Sequence, residues 1–263
     1  MNCRKRIGMD KKYQNYISLG YFCEVAHDLE KLGLRNQSSP FDWGISLFQG
    51  VIDAIDQEFD GFMDYDNLSQ DVKTRDHYRE DKYNFYFFHD FSRYCSLASQ
   101  YENVKSKYYR RINRFLQSIK YPTLFVRYIS IEELDNKNKS IELTWIENNY
   151  ERIMSVLKRY NPDNDIVFIG DETVESDRIK VYMVKRDDDD IVSRFPIINN
   201  KELYPLLSSV EFPGKDENIK RYNRKIQLRK SFSYRLKRKA VGLFSRYFLK
   251  TYKHTKTYAF HEK

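Results

Sequence analysis

Short apolar segments alternate with long helical segments in the second half of this chain, and this order restricts its fold more than any other feature. Residues 123–128 and 165–170 are apolar runs bounded by turn residues, as buried strands are, whereas 101–119 and 143–160 have helical spacing. Strands separated by long helices pair in parallel within one sheet. The sequence therefore predicts an α/β fold with a central, mostly parallel sheet flanked by helices.

The same criteria extend the prediction to the rest of the chain. Further strands are expected at 16–19, 83–88 and 179–184, and further helices at 22–32 and 47–59. Gly33 is well placed to end the first of these helices. Residues 64–82 are polar and are predicted to be irregular.

Charge is divided unevenly between the two ends of the chain. The net charge is +8, but residues 220–263 contain 15 basic residues and one acidic residue, which leaves 31 basic and 37 acidic residues in 1–219. We therefore predict two parts, an α/β domain over 1–219 and a basic helical C-terminal appendage over 220–263. Because the basic surface is confined to one end, nucleic acid is not expected to be the main partner.

Apolar side chains recur every three or four residues within this appendage, between Arg and Lys: Phe232, Leu236, Ala240, Leu243, Phe244 and Tyr247. A basic amphipathic helix of this kind can lie on an anionic membrane surface. Docking of the helix on the acidic domain is the first alternative, and contact with nucleic acid through phosphates is the second.

The composition also predicts a location and a set of cofactors. No apolar run reaches the roughly 18 residues that cross a bilayer, and the basic N-terminus is not followed by an apolar stretch. Three cysteines without a close pair are typical of thiols in a reducing compartment. We predict a cytoplasmic protein, peripheral at the inner face of the membrane if the appendage binds there. Paired Cys or His spacings and Gly-rich phosphate loops are missing, so no metal or other cofactor is expected.

Cys23 is the strongest candidate for chemistry. It follows the apolar run 16–19 and Gly20 and lies at the start of the helix predicted over 22–32, so its sulfur is expected at or just inside a helix N-terminus. Unpaired backbone N–H groups and the helix dipole favour an anion there, and they can lower the pKa of a thiol. A small buried apolar group is the alternative interpretation of this cysteine.

A cysteine nucleophile needs a base and a group that orients the base. His89 closes an aromatic strand, where α/β folds expose functional side chains, and Asp90 or Asp42 is expected to orient its imidazole. His27 lies one helical turn after Cys23 and is the rival base. Asp42 could instead cap a helix, and His89 could be a half-buried histidine with its hydrogen bonds satisfied.

Five residues beside these positions are predicted to contact a substrate: Gly20, Tyr21, Phe22, Trp43 and Asp171. The first three form the turn before Cys23, and Trp43 follows Asp42. Asp171 follows a strand, at the expected carboxyl edge of the sheet; a turn with exposed carboxylates is the favoured interpretation, and contact with a substrate is the minor one.

Several motifs also resemble, in order, those of a bacterial family of unknown function whose members are described as papain-like cysteine peptidases. They are Ile17-Ser18-Leu19-Gly20-x-x-Cys23, Leu32-Gly33-Leu34-Arg35, Pro40-Phe41-Asp42-Trp43 and His89-Asp90-Phe91, within roughly 15–170. The resemblance implies a thiol nucleophile at Cys23, a histidine at His89 and an acidic partner at Asp90 or Asp42. Members of that family often occur near polysaccharide-assembly genes. The opening motif is also similar to the start of SGNH-like esterases and capsule-associated acyltransferases.

These observations predict a cysteine-dependent hydrolase that acts on a carbonyl substrate, whether peptide, acyl or glycan-linked, with a possible link to cell-surface polysaccharide assembly. An acyltransferase or esterase of polysaccharide biosynthesis is one alternative. A non-catalytic protein that binds a phosphate, nucleotide or sugar at the helix N-terminus is the other.

Overall fold

A computed structural model describes residues 12–70, 78–92, 95–171, 174–185 and 194–231. The strands in these ranges are β1 Asn15–Ser18, β2 Ile45–Ser46, β3 Leu68–Gln70, β4 Tyr78–Glu80, β5 Phe85–Phe87, β6 Thr123–Tyr128, β7 Asp165–Asp171 and β8 Val181–Val184. The helices are α1 Glu24–Lys31, α2 Phe48–Asp56, α3 Leu97–Ser118, α4 Ile141–Tyr160, α5 Leu203–Ser208 and α6 Lys215–Lys230.

A parallel sheet with the strand order β1-β6-β7-β8 forms the centre of the fold, which confirms the predicted architecture. Asn15 of β1 lies opposite Thr123 of β6, so neighbouring strands join distant parts of the sequence. Every residue of β6 is buried. A strand covered on both faces has this pattern, and that explains its nearly continuous apolar run.

A second, antiparallel sheet with the order β2-β5-β4-β3 was not predicted. It includes the predicted aromatic strand as β5, but β3 and its partner β4 both fall within 64–82, so the prediction of an irregular segment was wrong. Strands of three residues are too short to show an alternating pattern. Glu80 also makes β4 hard to recognise as a strand, because a charged residue type occupies a buried position. Its carboxylate accepts a hydrogen bond from the backbone N–H of Tyr83 at 2.8 Å.

The parallel sheet separates two apolar clusters. Alternate side chains of β6 point to opposite faces, with Phe125 in one cluster and Val126 in the other. The larger cluster also contains α2, α3, α4 and the antiparallel sheet, whereas α1 and α5 pack in the smaller one. Helices thus cover both faces and leave the carboxyl ends of the strands at one edge of the sheet, where α/β proteins usually bind ligands.

Local signals in the sequence explain where two helices begin and end. Helix α4 begins after Ser140, whose hydroxyl accepts a hydrogen bond from the backbone N–H of Leu143 at 3.1 Å. Helix α1 ends as predicted at Gly33, which has a φ of +73° that favours glycine. A Cβ atom at Gly33 would lie 2.6 Å from the backbone oxygen of Lys215, so this glycine also lets α6 approach closely.

The start of the basic appendage packs against the domain. Asn218 of α6 donates a hydrogen bond to the backbone oxygen of Gly33 at 2.9 Å, and Lys225 contacts Glu30 of α1 at 2.9 Å. The predicted boundary between 219 and 220 therefore falls inside a docked helix. Residues 232–263, with the apolar positions of the predicted amphipathic helix, lie outside the described residues.

No helix in the described ranges combines the length and the apolar character that crossing a membrane requires.

Candidate active site

Cys23 lies at the N-terminus of α1, as predicted. The chain leaves β1 and turns at Gly20, which has a φ of +84°. A Cβ atom there would come within 2.7 Å of the hydroxyl oxygen of Ser46, so the turn requires glycine. Cys23 is the N-cap residue and is half-buried, and its side chain makes no capping hydrogen bond. The thiol therefore sits at the carboxyl edge of β1, next to the backbone N–H groups of the first turn of α1.

The protonation of Cys23 differs from the sequence-based expectation. The pKa of the thiol is raised to about 11, mainly by burial and in addition by the charge of Glu24, while a hydrogen bond to its own backbone opposes these two effects. Loss of water around the sulfur outweighs the helix N-terminus, because burial penalises the charged thiolate. The resting residue is thus a thiol at neutral pH.

Tyr21 and Phe22 lie in the chain between β1 and Cys23, and their rings pack against each other. The ring of Tyr21 is buried, and its centroid lies 5.9 Å from that of Phe22. The centroid of Phe22 lies 5.8 Å from that of Tyr128 in β6. The backbone oxygen of Tyr21 accepts a hydrogen bond from the N–H of Ser46 in β2 at 3.3 Å. These contacts join the turn before the cysteine to both sheets.

The imidazole of His27 packs against Trp43. The two rings meet edge to face with centroids 5.1 Å apart, and Trp43 also lies 5.3 Å from the guanidinium carbon of Arg35. Burial lowers the pKa of His27, while Glu30 opposes the shift. The imidazole is therefore neutral at pH 7 and able to accept a proton.

Asp42 is bound to a cation and a loop backbone. Its Oδ2 accepts hydrogen bonds from Nε and Nη2 of Arg35 at 3.0 and 2.5 Å and from the N–H of Ser39 at 2.8 Å. The residue is 1% exposed, and burial raises its pKa against the effect of Arg35. Among the described contacts, Asp42 makes no hydrogen bond to His89. Its geometry holds Arg35 beside Trp43.

His89 follows β5 and is exposed at the surface. Partial loss of water around the ring lowers its pKa and the charge of Asp90 opposes this, so the neutral ring can act as a base. Asp90 itself is bound by α3, where Lys107 and the hydroxyl of Tyr108, at 2.6 Å, both donate to its carboxylate. Asp90 acts on His89 through its charge, since no hydrogen bond between the two is among the described contacts.

Backbone hydrogen bonds link the segment that carries Cys23 to the strand that leads to His89, but the two side chains make no hydrogen bond with each other in the described part of the chain. Tyr21, two residues before the cysteine, binds Ser46, and Ser46 lies opposite Phe85 in β5, the strand that leads to His89. In the described part of the chain, the thiol makes no hydrogen bond with the ring of His89 or of His27. The predicted pair therefore stays a prediction.

The region that contains these residues matches a known protein family. A family described as "Putative papain-like cysteine peptidase (DUF1796)" matches residues 14–169, which is more than half of the chain. The chain belongs to this family. Both Cys23 and His89 lie within the matched residues, as do Asp42, Trp43 and Asp90.

One curated relative of this DUF1796 chain is the uncharacterized protein R408 of Acanthamoeba polyphaga mimivirus. The two are 34% identical over a segment that covers 38% of this chain and 54% of the viral protein. The chain thus spans about half the length of that relative. No solved structure matches the chain.

Asp171 ends β7 at the carboxyl edge of the parallel sheet in this family member, which is where the sequence predicted it. It is 2% exposed and lies opposite Val184 of β8. Side chains alternate between the two faces along a strand, so Asp171 lies on the same face of the sheet as Ile169. Ile169 packs in the same cluster as α1, so this is the face that carries Cys23. A separate strand, β6, lies between β7 and β1.

Arg127 is a buried residue near the site that the sequence reasoning missed. It is 0% exposed and donates to the backbone oxygens of Leu19 at 2.8 Å and Ser46 at 2.7 Å. Glu142 of α4 receives two further hydrogen bonds at 2.9 and 2.8 Å. This arginine fixes the turn at Gly20 to β2 and α4. Its signal in the sequence was a charged residue inside the otherwise apolar run 123–128.

Within the described ranges, no group of three His, Cys, Asp or Glu residues is arranged to hold a metal ion. The chemistry that these residues offer is that of a thiol, two neutral imidazoles and backbone N–H groups.

Proposed function

We propose that this chain is a cysteine-dependent hydrolase that cleaves peptide or related acyl bonds, with Cys23 as the nucleophile. One observation carries the proposal: the thiol lies at the N-terminus of α1 and at the carboxyl edge of β1, inside the region matched by a peptidase-like family. Backbone N–H groups at a helix N-terminus can stabilise the oxyanion that forms when a thiol attacks a carbonyl.

The raised pKa of Cys23 determines how the first step would proceed. A thiol that is protonated at pH 7 must lose its proton as it attacks, so a neutral imidazole must accept this proton. His89 is the proposed base, and Asp90 would stabilise the imidazolium by its charge. The S–C bond then forms, the carbonyl electrons move to oxygen, and collapse expels the amine or alcohol with the proton from the imidazolium. Water completes the cycle by cleaving the thioester.

Asp42 takes a different part in this proposal from the one the sequence indicated. Both carboxylates are bound by other groups, but the charge of Asp90 acts on His89, whereas the carboxylate of Asp42 is directed to Arg35 and Ser39. Asp90 is therefore the better acidic partner for His89. His27 is the alternative base, one turn from Cys23 on the same helix.

Acylation of a single-cysteine protein tests the proposal. Cys3→Ser and Cys95→Ser leave Cys23 as the single thiol, and a p-nitrophenyl ester of a short peptide serves as an activated substrate. We expect a burst of p-nitrophenolate and a mass increase on Cys23 that hydroxylamine reverses. Removal of a general base typically slows such a step about 10²- to 10⁴-fold, so His89→Ala should do so.

His27→Ala is the matched control, because the pKa of both imidazoles is lowered and both are neutral at pH 7. If this variant loses acylation while His89→Ala keeps it, the base is His27. Absence of a thioester in the parent protein refutes the hydrolase and the acyltransferase together. Added amine or sugar acceptors distinguish these two, since a transferase passes the acyl group to the acceptor. A cell-surface polysaccharide precursor is the acceptor that the family resemblance suggests.

The high pKa of Cys23 also supports a second candidate, a non-catalytic binding protein in which the thiol is a packing group. Alkylation by iodoacetamide with a midpoint near pH 11 that neither histidine variant changes, together with no acylation, would favour this candidate.

Membrane association of residues 220–263 remains part of the proposal. Truncation after Ile219 would cut α6, so the truncated protein should end at Ser231, after the docked helix. Loss of sedimentation with anionic vesicles on this truncation would support binding through 232–263, and unchanged sedimentation would exclude it.

A further inference from the structure

A polar cavity of about 240 Å³ lies between the loop that follows α1 and helix α6. Arg35 and Trp43 line it from the domain, and Arg221 and Lys225 line it from α6. The motif residues Arg35 and Trp43 thus meet at a place that the proposed thiol chemistry does not use. Sites for drug-sized ligands measure about 300–1,000 Å³, so this cavity suits a smaller ligand.

Positive charge predominates in the cavity. Three basic side chains line it, Arg35, Arg221 and Lys225, against one acidic side chain, Glu30. Asp42 binds Arg35 from outside the lining, and the cavity stays positive after this charge is counted. Burial is the main reason that the pKa of His27 is lowered, but positive charges nearby lower it further: Lys225, Arg35 and Arg229.

The hydrogen bonds within the cavity leave one cation largely uncommitted. Arg35 is occupied by Asp42 and Ser38, and Lys225 contacts both carboxylate oxygens of Glu30. The guanidinium of Arg221 makes a single hydrogen bond in the described structure, from Nη2 to Oδ1 of Asn218 at 2.5 Å. A guanidinium carries five N–H donors, so most of those of Arg221 are available to a ligand.

Asn218 fixes the position of these groups. It is 9% exposed, its Nδ2 donates to the backbone oxygen of Gly33 and to Oδ1 of Asn36, and its Oδ1 receives Arg221. The backbone oxygen of Gly33, just after α1, is therefore bound by a neutral amide. The guanidinium is held at the rim by a buried partner.

We propose that this cavity binds the phosphate group of a small phosphate monoester, with Arg221 and Lys225 as its ligands and Trp43 beside its organic part. A phosphate monoester carries a charge of about −1.5 to −2 at pH 7, opposite in sign to the excess charge of the cavity. The planar fork of arginine matches phosphate oxygens in pairs, and charge-assisted bonds of this type are strong. The proposal is independent of the reactivity of Cys23.

Tryptophan fluorescence gives a direct test. The chain has two tryptophans, so Trp145→Phe leaves Trp43 as the single reporter. Titration at constant ionic strength with phenyl phosphate should give a saturable change, inorganic phosphate should compete, and phenol should have no effect. Each of these results has an opposite that overturns the proposal: an absent or unsaturable change, no competition by phosphate, or an equal response to phenol.

Two charge-matched variants separate a built site from diffuse attraction. Arg221→Gln should weaken binding of phenyl phosphate about tenfold or more, as expected for the loss of charge-assisted hydrogen bonds. Arg224→Gln removes the same charge from an exposed position on α6 that does not line the cavity, and should change affinity less than about twofold. Equal weakening in both variants would overturn the proposal. Lys225→Gln provides a second measurement should Arg221→Gln fail to fold, and unchanged binding in it would also count against the site.

Discussion

Replacement of Arg127 tests how much the buried ion pair beside the Gly20 turn contributes to the fold. Arg127→Met keeps a long side chain but leaves the carboxylate of Glu142 buried without its bidentate partner, at a position with 8% side-chain exposure. It also removes donors from two backbone oxygens. Breaking a buried pair from one side costs about 3–5 kcal/mol.

This cost is a large part of the stability of a typical domain, which is about 5–15 kcal/mol. In a protein of this size it corresponds to a decrease in Tm of about 6–20 °C. Urea denaturation of the parent, Arg127→Met, Glu142→Gln and the double variant gives a double-mutant cycle. Because the two side chains form one interaction, the double variant should cost less than the sum of the single variants.

Arg152→Met provides the matched control. Arg152 lies on α4 and pairs with Asp53 at 2.6 Å, but its side chain is 40% exposed. An exposed pair contributes about 0–1 kcal/mol, so this variant should remain close to the parent. Equal costs for Arg127→Met and Arg152→Met, or strict additivity in the cycle, would refute the reasoning.

Two further predictions concern stability. Gly50→Ala should unfold the protein or cost more than about 3 kcal/mol, since its Cβ would lie 1.8 Å from the backbone oxygen of Tyr83. Gly214→Ala has open space around it and should cost only the roughly 1–2 kcal/mol of its left-handed backbone. Thermal unfolding compares the two variants, and equal costs would contradict the prediction. Burial raises the pKa of Asp28 to about 7, so its contribution to stability is complete below the unfolded value of about 3.9 and is lost as the pH rises through about 7. Asp28→Asn should therefore flatten the decline in the free energy of unfolding between about pH 4 and 7, and an unchanged slope in urea denaturation would show the inference to be wrong.

The parallel sheet could be predicted because its strands are long enough to show their pattern. The runs at 123–128 and 165–170 became β6 and β7 within one residue. The antiparallel sheet escaped prediction, since a two-residue strand such as β2 has no periodicity and β4 carries the buried charge of Glu80. An alternating pattern of apolar residues can be recognised only in a strand of about four residues or more, and these strands are shorter.

The position of the candidate nucleophile was predictable from local sequence, but its environment was not. A strand, Gly20 and an amphipathic helix place Cys23 at a helix N-terminus without any distant contact. The partners of the two candidate carboxylates come from elsewhere: Asp90 is bound by Lys107 and Tyr108 of α3, and Asp42 by Arg35. Spacing along the chain does not reveal which cation a carboxylate will meet in the fold, nor how much water the thiol retains.

The pairing of β1 with β6 has a consequence for the order in which the chain folds. Asn15 and Thr123 are 108 positions apart, and the whole antiparallel sheet with α2 and α3 lies between them in sequence. Closing so long a loop costs entropy before any contact compensates for it, while β6, α4 and β7 are consecutive and need no such closure. Amide hydrogens of β6 and β7 should accordingly acquire protection early in pulse-labelled refolding, and those of β1 late. The segment that carries the thiol would then be assembled last, so early protection of β1 would count against this order.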